Sequence, residues 1–210
     1  MKTITVYVEG GGDTVTQQAE LRSGFDALFR DLKNDASKKR ISLRFVLRGS
    51  RRAAFLAFQN ADTTRPQSIN VLLVDAEGPL TGPVGDAAAR TQHLAVRDKW
   101  PLPSESAARV HLMVQCMETW IVTDGDALGR FYGVGFAAHR LPQRRNLEDE
   151  NKQDVFDKLS AATRDSTKGE YHKGRHAKHL LTRINPDHVA RRCPHFDILR
   201  TWLADTLQLL

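Results

Sequence analysis

The sequence predicts an α/β fold on a mainly parallel sheet, flanked by helices and followed by a helical C-terminal region. Three observations carry this. Short apolar β patterns at residues 4–8, 41–47 and 71–74 alternate with helical patterns. Two of these strands run straight into acidic turns, Glu9-Gly10-Gly11-Gly12-Asp13 and Asp75-Ala76-Glu77-Gly78-Pro79. From residue 155 onward the apolar spacing is helical. Alternating strands and helices imply right-handed crossovers, and open α/β sheets bind ligands outside the carboxyl ends of their strands.

The elements follow in order. After the first strand, Asp13 or Thr14 can cap a helix, Gln17 completes a capping-box spacing, and Leu21, Phe25, Leu28, Phe29 and Leu32 share one core-facing side. The basic tract Lys38-Lys39-Arg40 leads into the second strand, which ends at Arg48-Gly49-Ser50-Arg51-Arg52 and a helix reaching about residue 60. The third strand ends at Asp75. Residues 79–105 hold Pro79, Pro83, Pro101 and Pro103 around a helical pattern at 86–100, an irregular excursion placed to cover a site. A fourth strand at 110–114 precedes the apolar run 116–122, whose single carboxylate is Glu118. Asp124 and Asp126 flank Gly125 and fit a helix cap better than a ligand set. Residues 139–151 read as a polar loop, and helices are expected at 155–162, 175–184, 186–192 and 196–209. The division is an α/β core at 1–138 and a helical extension at 139–210 packed on it.

Composition sets the frame. Of 210 residues, 40% are apolar, enough for one substantial core. There is no apolar run of about 18 residues, and the start lacks the apolar segment of a signal peptide, so a cytoplasmic protein with no membrane partner is expected. Cys116 and Cys193 are too few for a disulfide framework, in keeping with a reducing compartment. The net charge of +6 fits a polyanionic partner, nucleic acid above all. A solvated basic surface is the plainer alternative.

Parallel strands would bring Glu9, Asp13, Asp75 and Glu77 into one crevice. Crowded carboxylates repel unless a hard cation neutralises them, and this donor set suits Mg²⁺ or Mn²⁺. Helix capping for Asp13 and solvated turns for the others are the alternatives. Glu118, inside an apolar run, needs a metal, a base or backbone donors as partner. Arg51 and Arg52 sit in the first turn of a helix, where the macrodipole disfavours cations, so with Arg48 they await an anion such as phosphate. The segment containing Tyr171, Lys173, Arg175 and Lys178 mixes cations with an aromatic ring, a combination that grips a nucleic-acid backbone and stacks a base. His172, His176, Cys193 and His195 can be drawn as a zinc set, but their spacing is loose.

A Glu in a glycine-rich turn after the first strand, followed by a D-x-E turn after a later apolar strand, resembles the TOPRIM fold of topoisomerases, primases and OLD-family nucleases. The usual second motif there is D-x-D; Asp75-Ala76-Glu77 departs from it by one methylene, keeping the charge and lengthening one arm. The Glu9 to Asp13 spacing is similar to the nuclease branch. The resemblance extends to a bacterial family of small TOPRIM-like proteins of unassigned function, carrying V-E-G-x-x-D, G-S-R, V-L-L-V-D-x-E-x-P, H-L-M-V-x-x-M-E-T-W, Y-x-K-G-x-H and C-P-x-F in that order. Here these fall at residues 8–13, 49–51, 71–79, 111–120, 171–176 and 193–196.

That resemblance implies metal-dependent phosphodiester hydrolysis of DNA or RNA. Glu9, Asp75 and Glu77 would hold one or two Mg²⁺ or Mn²⁺ ions, Glu118 would join the catalytic set, and Lys173 would supply the lysine that nuclease relatives use near the metals. It also implies an ATPase partner and anti-phage defence, since genes of such families often neighbour ATPase genes. A non-cleaving subunit of an ATPase complex, with a regulatory or structural acidic cluster, is the alternative from another class. A hydrolase of a small phosphorylated metabolite is a second.

Overall fold

A computed structural model of the chain describes residues 2–65 and 67–210. Its elements run β1 (Thr3–Val8), α1 (Val15–Leu28), α2 (Arg30–Lys38), β2 (Ser42–Leu47), α3 (Arg51–Thr64), β3 (Ile69–Asp75), α4 (Ala87–Asp98), β4 (Val110–Met113), α5 (Met117–Ile121), α6 (Gly125–Tyr132), α7 (Lys152–Thr163), α8 (Lys173–Leu181), α9 (Pro186–Arg192) and α10 (Pro194–Leu209). The strands form one sheet in the order β2-β1-β3-β4, each pair parallel. The chain is thus a mixed α/β protein with an all-parallel sheet between helices and a helical C-terminal region.

Strand alternation explains the layering. Ile4, Val6, Val8, Val71 and Leu73 face one side, where α1, α2 and the C-terminal helices bury them with Phe25, Trp120 and Phe196. Tyr7, Leu72 and Val74 face the other, against Phe55 and Phe58 of α3, Leu94 of α4 and Trp100. The sheet grows outward from β1 in both directions, so the order of connection reverses between β1 and β3. That is where an open parallel sheet leaves its crevice.

Local sequence accounts for the helix starts. Thr14, not Asp13, caps α1, accepting from the Gln17 backbone at 3.2 Å, and the Gln17 side chain completes the box. Ser50 caps α3, and Asp124 caps α6 by accepting from Ala127 N at 3.0 Å. The one long helix expected after residue 14 is kinked at Phe29. Backbone bonding carries through from Phe25 O to Lys33 N, while the Phe29 ring lies 5.0 Å from Phe45 and 5.3 Å from Phe196 between centroids.

The segment expected as a polar loop at 139–151 is partly built into the protein, with Leu141, Leu147, Glu148 and Glu150 buried. Glu148 meets a partner remote in sequence, His195 at 2.6 Å, and Glu150 pairs with Lys158 of the following helix at 2.9 Å. Gln115 ties this segment to the sheet, donating to Glu148 O at 3.2 Å and accepting from Lys152 N at 3.1 Å.

α8 lies against α1, and Gly24 sets how closely. A Cβ at Gly24 would stand 2.9 Å from Leu181 Cβ and 3.2 Å from Lys178 O. Gly24→Ala is therefore expected to lower stability by about 1–2 kcal/mol, because overpacking against backbone outweighs the better helix propensity of alanine. A melting temperature at or above wild type would show that α8 yields freely.

Candidate metal centre

Three carboxylates meet at the crevice between β1 and β3. Glu9 follows β1, Asp75 closes β3, Glu77 follows it, and one oxygen from each lies within 4.8 Å of the others. Sheet register produces this: Val8 pairs with Leu73, Glu9 N donates to Leu73 O at 3.1 Å, and Asp75 N returns a bond to Glu9 Oε2 at 3.1 Å. The turn after β1 is pinned to the turn after β2 by paired bonds between Gly10 and Gly49 at 3.0 and 2.9 Å. Gly49 adopts φ +63°, and a Cβ there would approach Gly12 O to 2.6 Å, so a side chain at this position would push the acidic turn away.

Glu77 lies in the left-handed region at φ +65°, which costs a non-glycine residue roughly 1 kcal/mol. Its backbone N donates to Gln115 O at 2.7 Å and its carboxylate pairs with Lys152 at 2.6 Å, which together hold the turn.

Each acid is held by one oxygen. Glu9 Oε2 accepts from Asp75 N and from Arg51 at 3.2 Å, Asp75 Oδ1 accepts from Met117 N at 2.9 Å, and Glu77 Oε2 takes Lys152. Among the described residues, Glu9 Oε1 and Glu77 Oε1 have no hydrogen-bond donor, and Asp75 Oδ2 faces only Lys173 Nζ at 3.8 Å. Carboxylates oriented through one oxygen with the other free are what a hard divalent cation requires. The donor set fits Mg²⁺ or Mn²⁺.

Electrostatics follow from burial and pairing. Asp75 is 4% exposed, and burial, helped by Glu118, Glu9 and Glu77, lifts its pKa to about 7 against the opposing pull of Lys173. Burial also raises Glu9, although Arg51 opposes it. Glu77 is desolvated too, yet its bond to Lys152 outweighs that and leaves it lowered. Burial alone would push the Lys173 ammonium down; Glu118 and Asp75 more than offset it, and Lys173 stays charged.

Glu118 finds its partners in a base and a phenol. Fully buried in α5, it accepts from Tyr171 Oη at 2.9 Å and pairs with Lys173 at 3.3 Å. Lys173 thus bridges Glu118 and Asp75. A cavity of about 370 Å³ opens beside these groups, lined by Glu9, the glycines 10–12, Asp75, Lys173 and Lys178.

Other expected site residues lie elsewhere or are already engaged. Asp13 is exposed and outside the carboxylate cluster, since Thr14 takes the cap and the glycine turn carries Asp13 away. The anion that Arg51 needs is supplied internally: Asp98 binds it through both oxygens at 2.9 and 2.7 Å, Trp100 lies 5.3 Å from it, and its side chain is only 14% exposed. Tyr171 points inward to Glu118, so it offers no stacking face for a base. Lys178 pairs with Glu20 at 2.6 Å. Arg48, Arg52 and Arg175 are exposed.

The zinc set does not assemble. His195 is committed to Glu148, Cys193 Sγ to Thr119 O, and His176 Nδ1 to Tyr132 Oη at 3.1 Å. Among the described residues, the one group of three metal-ligating side chains is Glu9, Asp75 and Glu77. The excursion after β3 does reach the site: Asp98 holds Arg51, and Arg97 stands 3.9 Å from Glu77. Asp98, Arg97 and Lys152 carried no spacing signal; only their placement by Trp100 and Gln115 reveals them.

No curated protein and no solved structure matches the chain. A family model matches residues 8–204, nearly the whole length and every group of the acidic site, and the chain belongs to that family, the domain of unknown function DUF4276.

Proposed function

We propose that the protein is a metal-dependent phosphodiesterase, a nuclease acting on DNA or RNA with Mg²⁺ or Mn²⁺ held by Glu9, Asp75 and Glu77. The observation that carries the reading is the convergence of these acids at the switch point of a parallel sheet, each fixed through one oxygen, with the second oxygen of Glu9 and Glu77 free and that of Asp75 facing Lys173. The TOPRIM-like order of motifs supports it, as does the basic balance of the chain. Bound there, a divalent ion would draw charge off a phosphate and make water a better nucleophile. The residues supply the rest. Lys173 places a permanent positive charge at the cavity wall, where charge develops on a phosphate oxygen. Tyr171 and Glu118 hold that ammonium in place, and Arg51 fixes Glu9 while itself being fixed by Asp98.

A second reading is favoured by the ion pairs. Arg51, Arg97, Lys152 and Lys173 stand against Glu9, Asp75, Glu77, Asp98 and Glu118, leaving one negative charge when all are ionised. A cluster so nearly neutral suits a non-cleaving subunit of an ATPase complex. The two buried free cysteines agree with a cytoplasmic setting, and no helix of the described residues is long and apolar enough to cross a membrane.

Labelled DNA and RNA, single- and double-stranded, incubated with the protein and Mg²⁺ or Mn²⁺, with and without any ATPase encoded beside it, separate the readings. Cleavage by wild type that EDTA abolishes is expected. Tight binding without cleavage in every combination favours the subunit reading.

A further inference from the structure

On the far side of α8 from the acidic cavity lies a second pocket, of about 480 Å³, lined by Arg130, Phe131, Lys168, Arg175, His176, His179 and Arg183. None of its lining residues is acidic. Among the described residues, Arg130, Lys168, Arg175 and Arg183 form no ion pair, whereas the cations around the acidic cavity, Arg51, Lys152, Lys173 and Lys178, each have a carboxylate partner. The pocket is nonetheless built. Phe131, 8% exposed, forms its floor, with Lys168 Nζ 5.1 Å and Arg183 Cζ 5.3 Å from the ring centroid and the His179 ring stacked at 6.0 Å. Arg183 Nη1 is steered by His179 O at 2.7 Å. Both histidines register the field: burial first, and then Arg175 for His176 and Lys178 and Arg183 for His179, hold them below the usual imidazole value.

Four cations without a carboxylate partner in one concavity set up a positive field that favours an anion there. The spacing says which kind. Arg175, His179 and Arg183 follow at i, i+4 and i+8 and so share one side of α8 and its continuation, while Lys173, Gly174, Ala177 and Lys178 line the acidic cavity from the other. The two pockets thus lie on opposite sides of one helix.

We propose that the Arg130/Lys168/Arg175/Arg183 pocket is a phosphodiester-binding site, holding the backbone of a nucleic-acid strand whose neighbouring phosphate is presented across α8 to the acidic cavity. The assignment rests on the phosphodiester substrate proposed above, though not on its cleavage. Arg guanidinium groups bind phosphate oxygens bidentately, and four cations in one pocket match successive phosphates better than a single carboxylate.

The test is fluorescence anisotropy with a short labelled single-stranded oligonucleotide, in EDTA, over a range of salt. Arg175→Ala/Arg183→Ala is expected to weaken binding about tenfold and to lower the slope of log affinity against log salt by about 1.4, the value for two lost phosphate contacts. Lys168→Glu, in the exposed segment before α8, should act in the same direction and covers the case of a misfolded double variant. Arg145→Ala/Arg191→Ala, on a separate basic surface, is the control. Unchanged affinity in the pocket variants, or an equal loss in the control, would overturn the site. Because binding is read without metal, a protein that binds here and never cuts keeps this site and loses only the nuclease reading.

Discussion

Asp75→Asn is expected to abolish cleavage supported by Mg²⁺ or Mn²⁺, by at least about 10³-fold, while raising the melting temperature of the metal-free protein at pH 8. The first effect comes from charge. Asparagine keeps the shape and can still accept from Met117 N, but it removes the negative charge that draws the ion, and a divalent cation contributes several kcal/mol to a phosphoryl transition state. The second follows from linkage. The folded chain retains a proton on Asp75 up to about pH 7, mainly through burial, while the unfolded chain releases it near pH 4. Between those values the folded state binds the extra proton, so wild-type stability falls as pH rises from about 4 to about 7 and is level above. The stability advantage of the Asp75→Asn variant should be absent near pH 4 and reach a few kcal/mol above about pH 7. Melting curves at pH 4.5 and 8, with EDTA and with Mg²⁺, check this. A variant less stable than wild type at pH 8 would mean that Asp75 is held ionised by its neighbours.

Lys173→Met should show the mirror image. The ammonium stands between the fully buried Glu118 and Asp75, and its removal leaves Glu118 with only the Tyr171 hydroxyl. Breaking a buried pair costs about 3–5 kcal/mol; because nearly half of the Lys173 side chain is exposed, about 2–3 kcal/mol is expected here. The loss should be greater at pH 8 than at pH 5, where Asp75 carries a proton in both proteins, and Mg²⁺ should restore part of it by neutralising Asp75. In the proposed reaction Lys173 would face the reacting phosphate from the cavity wall, so turnover should fall more than oligonucleotide affinity. Calorimetry at the two pH values checks the ion pair, and kcat paired with Kd separates a catalytic from a purely structural role, which predicts an unchanged kcat.

The architecture was legible because periodicity and punctuation agreed. Val71 to Val74 is apolar on both faces, as a buried parallel strand must be, and Thr14, Ser50 and Asp124 mark helix starts through local bonds that sequence displays. Glu9, Asp75 and Glu77 were legible for a topological reason: parallel strands fix which ends come together. What escaped was set by contacts between remote segments. Lys152 reaches Glu77 only because Gln115 anchors its segment, and Asp98 reaches Arg51 only because Trp100 stacks on Phe55 at 4.2 Å and brings the end of α4 over the sheet. Arg51, read from its place in the first turn of a helix, and Tyr171, read from its basic surroundings, were expected to meet nucleic acid, yet an arginine with an acid across the crevice and a tyrosine over a buried carboxylate turn inward. Asp13 was expected in the same crevice from strand-end convergence, but it stands four residues past Glu9, beyond three glycines at positive φ, and the turn carries it out of the cluster.

The most direct measurement of the central claim is anomalous diffraction from crystals soaked in Mn²⁺ at pH 8. The account predicts a manganese peak coordinated by Glu9, Asp75 and Glu77, absent from crystals of Asp75→Asn. No peak at saturating Mn²⁺, with Lys152 and Lys173 still closed on the acids, would contradict it.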